Sequence, residues 1–234
     1  MKILAIDTST HVMGIALSQG DKLLAEYTTN FKKNHSLRLM PAIHQIMEEV
    51  GVSPAELDAV AVAKGPGSYT GVRIGVTTAK TMAWSLGIPV YGISSLQLQA
   101  RNGKHFPGWI CPFSDARRGQ IYTGLYRFRD SFLREEEKDR IVLLEDWLSI
   151  LKEKNEAVLF LSQDWKKHEP VIKDVLKEQA VFADFPDMQP RPGELLVLAG
   201  QMPAQEAHTL APEYTQMAEA EKKWYASKEG RAHE

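Results

Sequence analysis

The sequence contains a single cysteine, Cys111, so it cannot form an internal disulfide, and a lone thiol is typical of a reducing compartment. It contains no apolar run close to the roughly 20 residues that a membrane-spanning helix needs. No apolar signal-peptide core follows Met1, and the net charge of -2 gives no overall positive field to attract nucleic acid. We therefore expect a cytoplasmic protein with no membrane contact, in which any contact with nucleic acid is made by a local patch.

The most distinctive segment of the sequence is a glycine-rich stretch, Gly65–Gly75 (GPGSYTGVRIG), which follows a strand-like run at 59–63. Such a turn can aim backbone N–H groups at a phosphate, or it can let two backbones approach with no Cβ between them. A phosphate-binding P-loop ends in Gly-Lys-Ser/Thr, whereas Lys64 precedes these glycines. A dinucleotide-binding site needs an acidic residue after the next strand, but that strand ends in Ser94-Ser95. The glycine-rich stretch therefore does not fit either nucleotide-binding motif well.

The helix predicted from about Gly71 has a small residue at every fourth position along one flank. These residues are Gly71, Gly75, Ala79 and Ala83. Because glycine costs a helix about 1 kcal/mol relative to alanine, the flank must make a compensating contact. Two interpretations stay open: the flank packs against its own sheet, or a helix of another polypeptide lies against it. We favour the second interpretation, and we expect this flank to serve an interface.

One supersecondary pattern occurs twice in the sequence. A strand ends in an aspartate, a second strand and a tight turn lead into a third strand, and helix and strand segments follow; the first copy has Asp7 at this position and the second has Asp115. The repetition predicts two related lobes that face one another. Such a pair resembles the actin/Hsp70/sugar-kinase fold, an α/β fold in which turns from both lobes bracket the phosphates of a nucleotide.

The two lobes are predicted to be unequal. We assign residues 1–101 to the first lobe, joined by a C-terminal helix at 212–228, and residues 102–211 to the second. The second half has few glycines and short helical segments, so we expect a reduced second lobe.

Two turns are candidate phosphate contacts. At the first, Asp7, Ser9 and Thr10 could hold a nucleotide phosphate, although Asp7 could equally be a turn former that bonds its own backbone. At the second, Arg117 and Arg118 could meet a nucleotide, tRNA or merely Asp115.

Four motifs occur in an order that is typical of one family. They are Ile6-Asp7-Thr8-Ser9-Thr10, Asn34-His35-Ser36 with Leu39-Met40-Pro41, the glycine-rich stretch, and Asp115-Ala116-Arg117-Arg118-Gly119-Gln120-Ile121-Tyr122. With these motifs, which span about half of the chain, the sequence resembles the bacterial TsaB (YeaZ) family. The resemblance implies a non-catalytic partner of TsaD, its paralogue. With a TsaE-type ATPase, that assembly transfers a threonylcarbamoyl group to the adenosine beside the anticodon of ANN-decoding tRNAs.

The resemblance also implies how the partners meet. In the family, the amphipathic helix predicted at 36–50 and the small-residue helix form the surface that binds TsaD, or another copy when the protein is alone as a homodimer. The candidate interface residues are His35, Leu39, Ile43, Gly71, Arg73, Gly75, Ala79 and Ala83. No cofactor is expected for the chain alone, and ATP or ADP is expected only within the complex.

The paralogue provides an internal test for chemistry. TsaD-like proteins carry a His-x-x-x-His metal pair after the equivalent helix and strand, and those positions are Ser95 and Gln99 here. The seven histidines never recur at that spacing, so we expect no metal site and no catalytic residue. The family's C-terminal Pro-x-Tyr-Leu-Arg pattern is also altered, to the sequence at 212–216.

Two enzyme functions are the alternatives. A small-molecule kinase or ATPase is compatible with the two-lobed fold, although both lobes must then be complete enough to exclude water. A peptidase needs a nucleophile beside a base, and no such signal surrounds Ser68 or Cys111.

Overall fold

The computed structural model describes residues 1–31 and 34–213. The ten strands in this part of the chain are β1 (Lys2–Asp7), β2 (Val12–Gln19), β3 (Lys22–Asn30), β4 (Ala59–Ala63), β5 (Val90–Ile93), β6 (Trp109–Arg117), β7 (Gln120–Arg129), β8 (Phe132–Leu143), β9 (Val158–Leu161) and β10 (Ala180–Phe182). The α-helices are α1 (His35–Glu49), α2 (Tyr69–Leu86), α3 (Ser95–Ala100), α4 (Leu144–Glu153), α5 (Trp165–Leu176) and α6 (Gly193–Ala199). Beyond residue 213, the helix predicted at 212–228 and the altered segment at 212–216 lie outside the described residues.

The two sheets of the protein share one topology. The first has the order β3-β2-β1-β4-β5, and the second has the order β8-β7-β6-β9-β10. In each sheet the first three strands form an antiparallel meander, while the later two continue parallel to the first strand. The duplication predicted from the repeated sequence pattern is therefore confirmed.

Successive side chains of the central strands β1 and β4 point to opposite faces of the first sheet, so that the core of the lobe has two parts. Leu4 and Val60 point to the face that α1 and α2 cover, whereas Ala5 and Ala61 point to the face that α6 covers. The second face carries small side chains, so α6 lies close to it. A strand buried on both faces has apolar residues at successive positions, as these strands do.

The second lobe is reduced in helices rather than in strands. One face of its sheet packs against α4 and α5 through Trp147, Leu151 and Ile172. On the other face, Ile110 and other strand residues pack with Leu96 of α3, a helix that follows the last strand of the first sheet. The second lobe thus depends on the first to cover its sheet.

The predicted boundary of the second lobe needs a correction. Leu195 and Leu198 of α6 pack on the first sheet, and Leu210 belongs to the core of the first lobe. Gln205 also exchanges two backbone hydrogen bonds with Val90 at the edge of the first sheet. Residues 193–213 therefore belong to the first lobe, because the chain crosses back after β10, and the second lobe ends before α6.

None of the helices in the described ranges combines the length and the apolar content that crossing a membrane requires.

Candidate cleft and partner face

A cleft of about 940 Å³ opens between the two lobes. Its walls are built where the parallel strands of both sheets end: Thr10 follows β1, Gly67 follows β4, Ser95 follows β5, and Gln163 follows β9. Side chains after parallel strands converge because the strands end at one edge. A hydrogen bond of 3.2 Å from Gln163 Nε2 to Thr10 Oγ1 crosses from one lobe to the other. The prediction that turns from both lobes face a shared cleft is confirmed.

The glycine-rich stretch serves the close approach of two backbones. A Cβ on Gly67 would overlap the carbonyl oxygen of Ser9, and a Cβ on Gly71 would overlap that of Thr8. The same contact is fixed by two hydrogen bonds, from Ser68 N to the Ser9 oxygen (2.7 Å) and from Thr8 Oγ1 to the Gly71 oxygen (2.7 Å). The glycines therefore hold the turn after β1 against the start of α2, and together they form one wall of the cleft.

The small-residue flank of α2 faces the protein's own sheet. Gly75 lies over Thr8, so that a Cβ added to this glycine would be only 2.5 Å from Thr8 Oγ1, and Ala79 and Ala83 are fully buried in the core. The prediction that Gly71, Gly75, Ala79 and Ala83 form a partner interface is wrong, because no second polypeptide can reach them. The interpretation of internal packing, left open by the sequence, is the correct one.

Three of the candidate residues on or near α1 are also used inside the chain. Leu39 and Ile43 are buried in the core of the first lobe. The ring of His35 is buried, and its Nε2 lies 2.8 Å from the carbonyl oxygen of Thr10. These predicted interface residues therefore shape the lobe and the cleft wall. Arg73 remains on the surface, with its guanidinium 3.9 Å from the centre of the Tyr69 ring.

The outward sides of α1 and α2 carry exposed apolar residues that the sequence interpretation missed. Leu37 is 74% exposed and Met40 is 50% exposed on α1, and Tyr69 is 43% exposed at the start of α2. The helices are neighbours, and their first turns both reach the mouth of the cleft. We call these three residues the outer face. The signal in the sequence was a pair of apolar residues three positions apart on α1, Leu37 and Met40, offset from the buried face.

Asp7 lies behind the turn that follows β1, rather than on the cleft wall. Its Oδ1 accepts a hydrogen bond from Ser9 N (2.8 Å), and its Oδ2 is buried without a partner among the described residues. Burial raises the pKa of this carboxyl group, although the bonds from Ser9 oppose the shift. Asp7 is therefore a turn former, as the alternative interpretation held, while Ser9 and Thr10 do line the cleft.

The second turn brings Asp115, Arg117 and Arg118 to the opposite wall of the cleft, as predicted. Asp115 accepts from Lys167 Nζ at 2.6 Å and lies 3.1 Å from His168 Nε2. Burial alone would raise the pKa of Asp115, but the neighbouring Lys167 and His168 hold it below its usual value. Lys167 and His168, which the sequence interpretation did not single out, are thus the groups that fix this turn.

The carboxyl group of Asp139 links the two lobes through hydrogen bonds, in a contact that we call the clasp. Asp139 of β8 accepts hydrogen bonds from Ser94, which caps α3, and from the Tyr126 hydroxyl of β7. Burial raises the pKa of Asp139 from its ordinary 3.8 to about 6, the two hydroxyl donors oppose this shift, and Glu135 and Glu213 add to it. The sequence contained no signal for this contact, because its members are far apart along the chain.

The clasp predicts a pH-dependent stability. The folded-state pKa of Asp139 lies above the unfolded value, so its contribution is fully present below about pH 4 and is lost as the pH rises through 6. Relative to Asp139→Asn, which cannot titrate, the wild type should be about 1 kcal/mol more favoured at pH 5 than at pH 7.5. Urea unfolding of both proteins at the two pH values measures this difference. An equal difference at both would show that Asp139 titrates normally.

Two copies of one sheet topology, with a cleft at the carboxyl ends of their parallel strands, define the two-lobed class of actin, Hsp70 and sugar kinases. Two solved structures from Pseudomonas aeruginosa have the same fold. An uncharacterized protein with similarity to peptidase YeaZ matches with a TM-score of 0.80 and 25% identity, over 92% of this chain and 99% of the other. The protein described as YeaZ matches with a TM-score of 0.76 and 24% identity, over 91% and 99%.

Comparison with known sequences identifies the family to which the chain belongs. The family model described as TsaD, tRNA N6-adenosine threonylcarbamoyltransferase, matches residues 22–226. The chain is 51% identical to the tRNA threonylcarbamoyladenosine biosynthesis protein TsaB of Bacillus subtilis, over 97% of this chain and 99% of that protein. It is 29% identical to TsaB of Escherichia coli, over 92% and 93%. The chain belongs to the TsaB family of tRNA threonylcarbamoyladenosine biosynthesis proteins.

Proposed function

We propose that this chain is a non-catalytic subunit that binds a TsaD-type enzyme and supports its transfer of a threonylcarbamoyl group to tRNA. The acceptor is the adenosine beside the anticodon of ANN-decoding tRNAs, a TsaE-type ATPase completes the assembly, and the work takes place in the cytoplasm. Membership of a family whose named relatives are tRNA threonylcarbamoyladenosine biosynthesis proteins supports this role.

The observation that carries the non-catalytic part of the proposal is the donor set at the metal position of the paralogue. Ser95 and Gln99 lie on the cleft, but Ser95 Oγ accepts from Gly65 N (3.1 Å) and Gln99 Nε2 donates to the Asp187 carbonyl oxygen (3.3 Å). A hydroxyl and an amide engaged in this way are poor ligands for a transition metal. Within residues 1–31 and 34–213, no group of three or more His, Cys, Asp or Glu side chains is arranged to hold a metal ion.

The outer face is our proposed contact for the TsaD-type partner. Leu37 and Met40 are exposed apolar side chains on α1, whose first residue His35 lines the cleft, and exposed apolar surface is typical of protein interfaces. The match of the chain to a TsaD family model suggests a partner of related fold, which could present a similar pair of helices. In the absence of the partner, a second copy of this chain takes its place and forms the homodimer.

The cleft suits phosphate oxygens better than a metal. Thr10, Ser68 and Thr70 bring hydroxyl groups to one wall of the cleft. The carboxyl group of Asp7 is buried behind the turn after β1 and does not line the cleft. We propose that the chain requires no cofactor of its own, and that these hydroxyl groups could contact ATP or ADP within the complex.

Reconstituted transfer of threonylcarbamoyl to tRNA tests the proposal. The chain, a TsaD-type partner and a TsaE-type ATPase are assayed together and with each omitted, in the presence of an activated threonylcarbamoyl donor. We expect no transfer by the chain alone, and at least about a 10-fold rise in transfer when it is added to its partners. Modification by the isolated chain, or phosphate release from Mg²⁺-ATP by it, would make it an enzyme and favour the kinase or ATPase alternative.

A further inference from the structure

The hairpin turn that joins β6 to β7 has a left-handed backbone conformation, which is unfavourable for residues other than glycine. Arg117, Arg118 and Gly119 have φ angles of +67°, +53° and +74°. Glycine enters this left-handed region freely, whereas the Cβ of an arginine makes it costly. The central residues of the β7–β8 hairpin, Asp130 and Ser131, have the same left-handed backbone, so this conformation belongs to a tight hairpin turn. What distinguishes the β6–β7 turn is that it places two arginine side chains together at the cleft.

The base of this turn is held firmly while its tip stays exposed. Leu144 N donates to the Gly119 oxygen at 2.9 Å, and Asp115 N donates to Asp164 Oδ2 at 3.0 Å. The carboxylate of Asp115 is bound by Lys167 and His168, and the ring of His168 is buried against Phe113. Arg117 and Arg118 line the cleft and are exposed to solvent.

Basic side chains from a second element join the same corner. Lys167 lies in the first turn of α5, and its 2.6 Å ion pair with Asp115 brings that turn to the hairpin. Lys166 precedes it, with Nζ 5.7 Å from the centre of the Trp165 ring. We call Arg117, Arg118, Lys166 and Lys167 the basic corner. Asp115 and Asp164 lie at the same turn and offset two of these four charges, which leaves a local net charge of about +2 in a chain of net charge -2.

We propose that the basic corner binds the phosphate backbone of the RNA substrate, with Arg117 and Arg118 as its main contacts. The inference rests on the proposed function, since it takes the substrate of the complex to be tRNA. Exposed guanidinium groups on a projecting hairpin suit a polyanion that passes several phosphates, because each contact in water is weak and the sum gives the affinity. A free nucleotide would instead need donors enclosed within the cleft.

Affinity for tRNA as a function of salt tests the basic corner. The complex of the chain with its TsaD-type partner is titrated with labelled tRNA and followed by fluorescence anisotropy. We expect Arg117→Ala with Arg118→Ala to weaken binding about 10-fold at low salt, and to reduce the slope of log Kd against log salt by about 1 to 2. Arg129→Ala with Arg134→Ala, on the β7–β8 hairpin at another end of the same sheet, is the matched control and should bind like the parent. Equal affinities for both double variants would overturn the proposal.

A single glycine substitution separates a binding role from a structural one. Arg117→Gly relieves the left-handed backbone and removes one guanidinium group. We expect the midpoint of thermal unfolding to rise by about 2 °C while tRNA binding weakens about 3-fold. A lower midpoint, or unchanged tRNA binding, would mean that the arginine serves the fold alone.

Partner affinity is measured for every variant, so that failure of this proposal can be told from failure of the proposed function. Variants that bind the partner normally but lose tRNA support the basic corner. If the parent chain does not bind the partner, the proposed function fails. The tRNA titrations are then repeated with the chain alone, and the affinities of the variants relative to the parent chain test the basic corner in the same way.

Discussion

Gly71→Ala should destabilise the protein by roughly 3 kcal/mol, because the added methyl group would overlap the backbone carbonyl oxygen of Thr8. Backbone on one side and helix on the other leave no flexible side chain to give way. The turn after β1 must shift, and the hydrogen bond from Thr8 Oγ1 to the Gly71 oxygen is lost with it. Urea unfolding measures the free energy, and thermal unfolding should show a midpoint lower by roughly 6–12 °C.

Gly200→Ala is the matched control for this prediction. Gly200 follows α6 with right-handed helical backbone angles, and a Cβ there would meet its nearest neighbour at an ordinary 3.5 Å. Its free energy of unfolding should stay within about 0.5 kcal/mol of the wild type. If Gly71→Ala and Gly200→Ala unfold alike, then the glycines do not hold the turn after β1 against α2.

The strands and hairpins could be predicted closely because their signals are local. The strand predicted to end at Asp7 is β1, and the strand-like run at 59–63 is β4. Alternating or continuous apolar runs bounded by turns fix such elements without knowledge of the rest of the chain. The duplicated topology followed from the same local signals, since each half repeats them in one order.

The partner flank was mispredicted for a physical reason. Small residues four apart show that something lies close to a helix, but they do not say what it is. Here the covering group is the turn at Thr8, with Ile6 and Val62 of the protein's own sheet below Gly75. Only the position of α2 over the sheet, which is a long-range property, separates the two interpretations.

Other features of the site depend on contacts between distant segments and could not be read locally. The clasp of Asp139 with Ser94 joins residues 45 apart, and residues 193–213 return to the first lobe after the whole of the second. The ion pair between Asp115 and Lys167 is of the same kind. By contrast, the two cleft turns were predictable, because each directly follows a strand whose end fixes its position.

Leu37→Glu combined with Met40→Glu should weaken the complex with a TsaD-type partner by at least about 100-fold. Each substitution removes apolar area from the proposed contact and adds a carboxylate that the contact would have to desolvate, together worth roughly 3 kcal/mol. Both side chains are at least half exposed, so the isolated chain should fold with unchanged stability. The homodimer that we propose for the chain alone should weaken in parallel, because we assign it to the same face.

Ile150→Glu combined with Val171→Glu controls for adding two charges to helical surfaces. These residues are 38% and 41% exposed on α4 and α5 of the second lobe, away from the outer face. The complex of this double variant with the TsaD-type partner should keep the wild-type affinity within about 2-fold. A loss equal to that of the outer-face variant would mean that charge alone, rather than the position of the face, weakens the complex.

The measurement that tests the account most directly is the dissociation constant of the complex, obtained by calorimetric titration of the partner with the wild type and the two double variants. We predict a tight complex for the wild type and the second-lobe variant, and a dissociation constant at least about 100-fold higher for Leu37→Glu with Met40→Glu. Wild-type affinity in that outer-face variant would contradict the assignment of this surface, and with it our account of how the chain supports its partner.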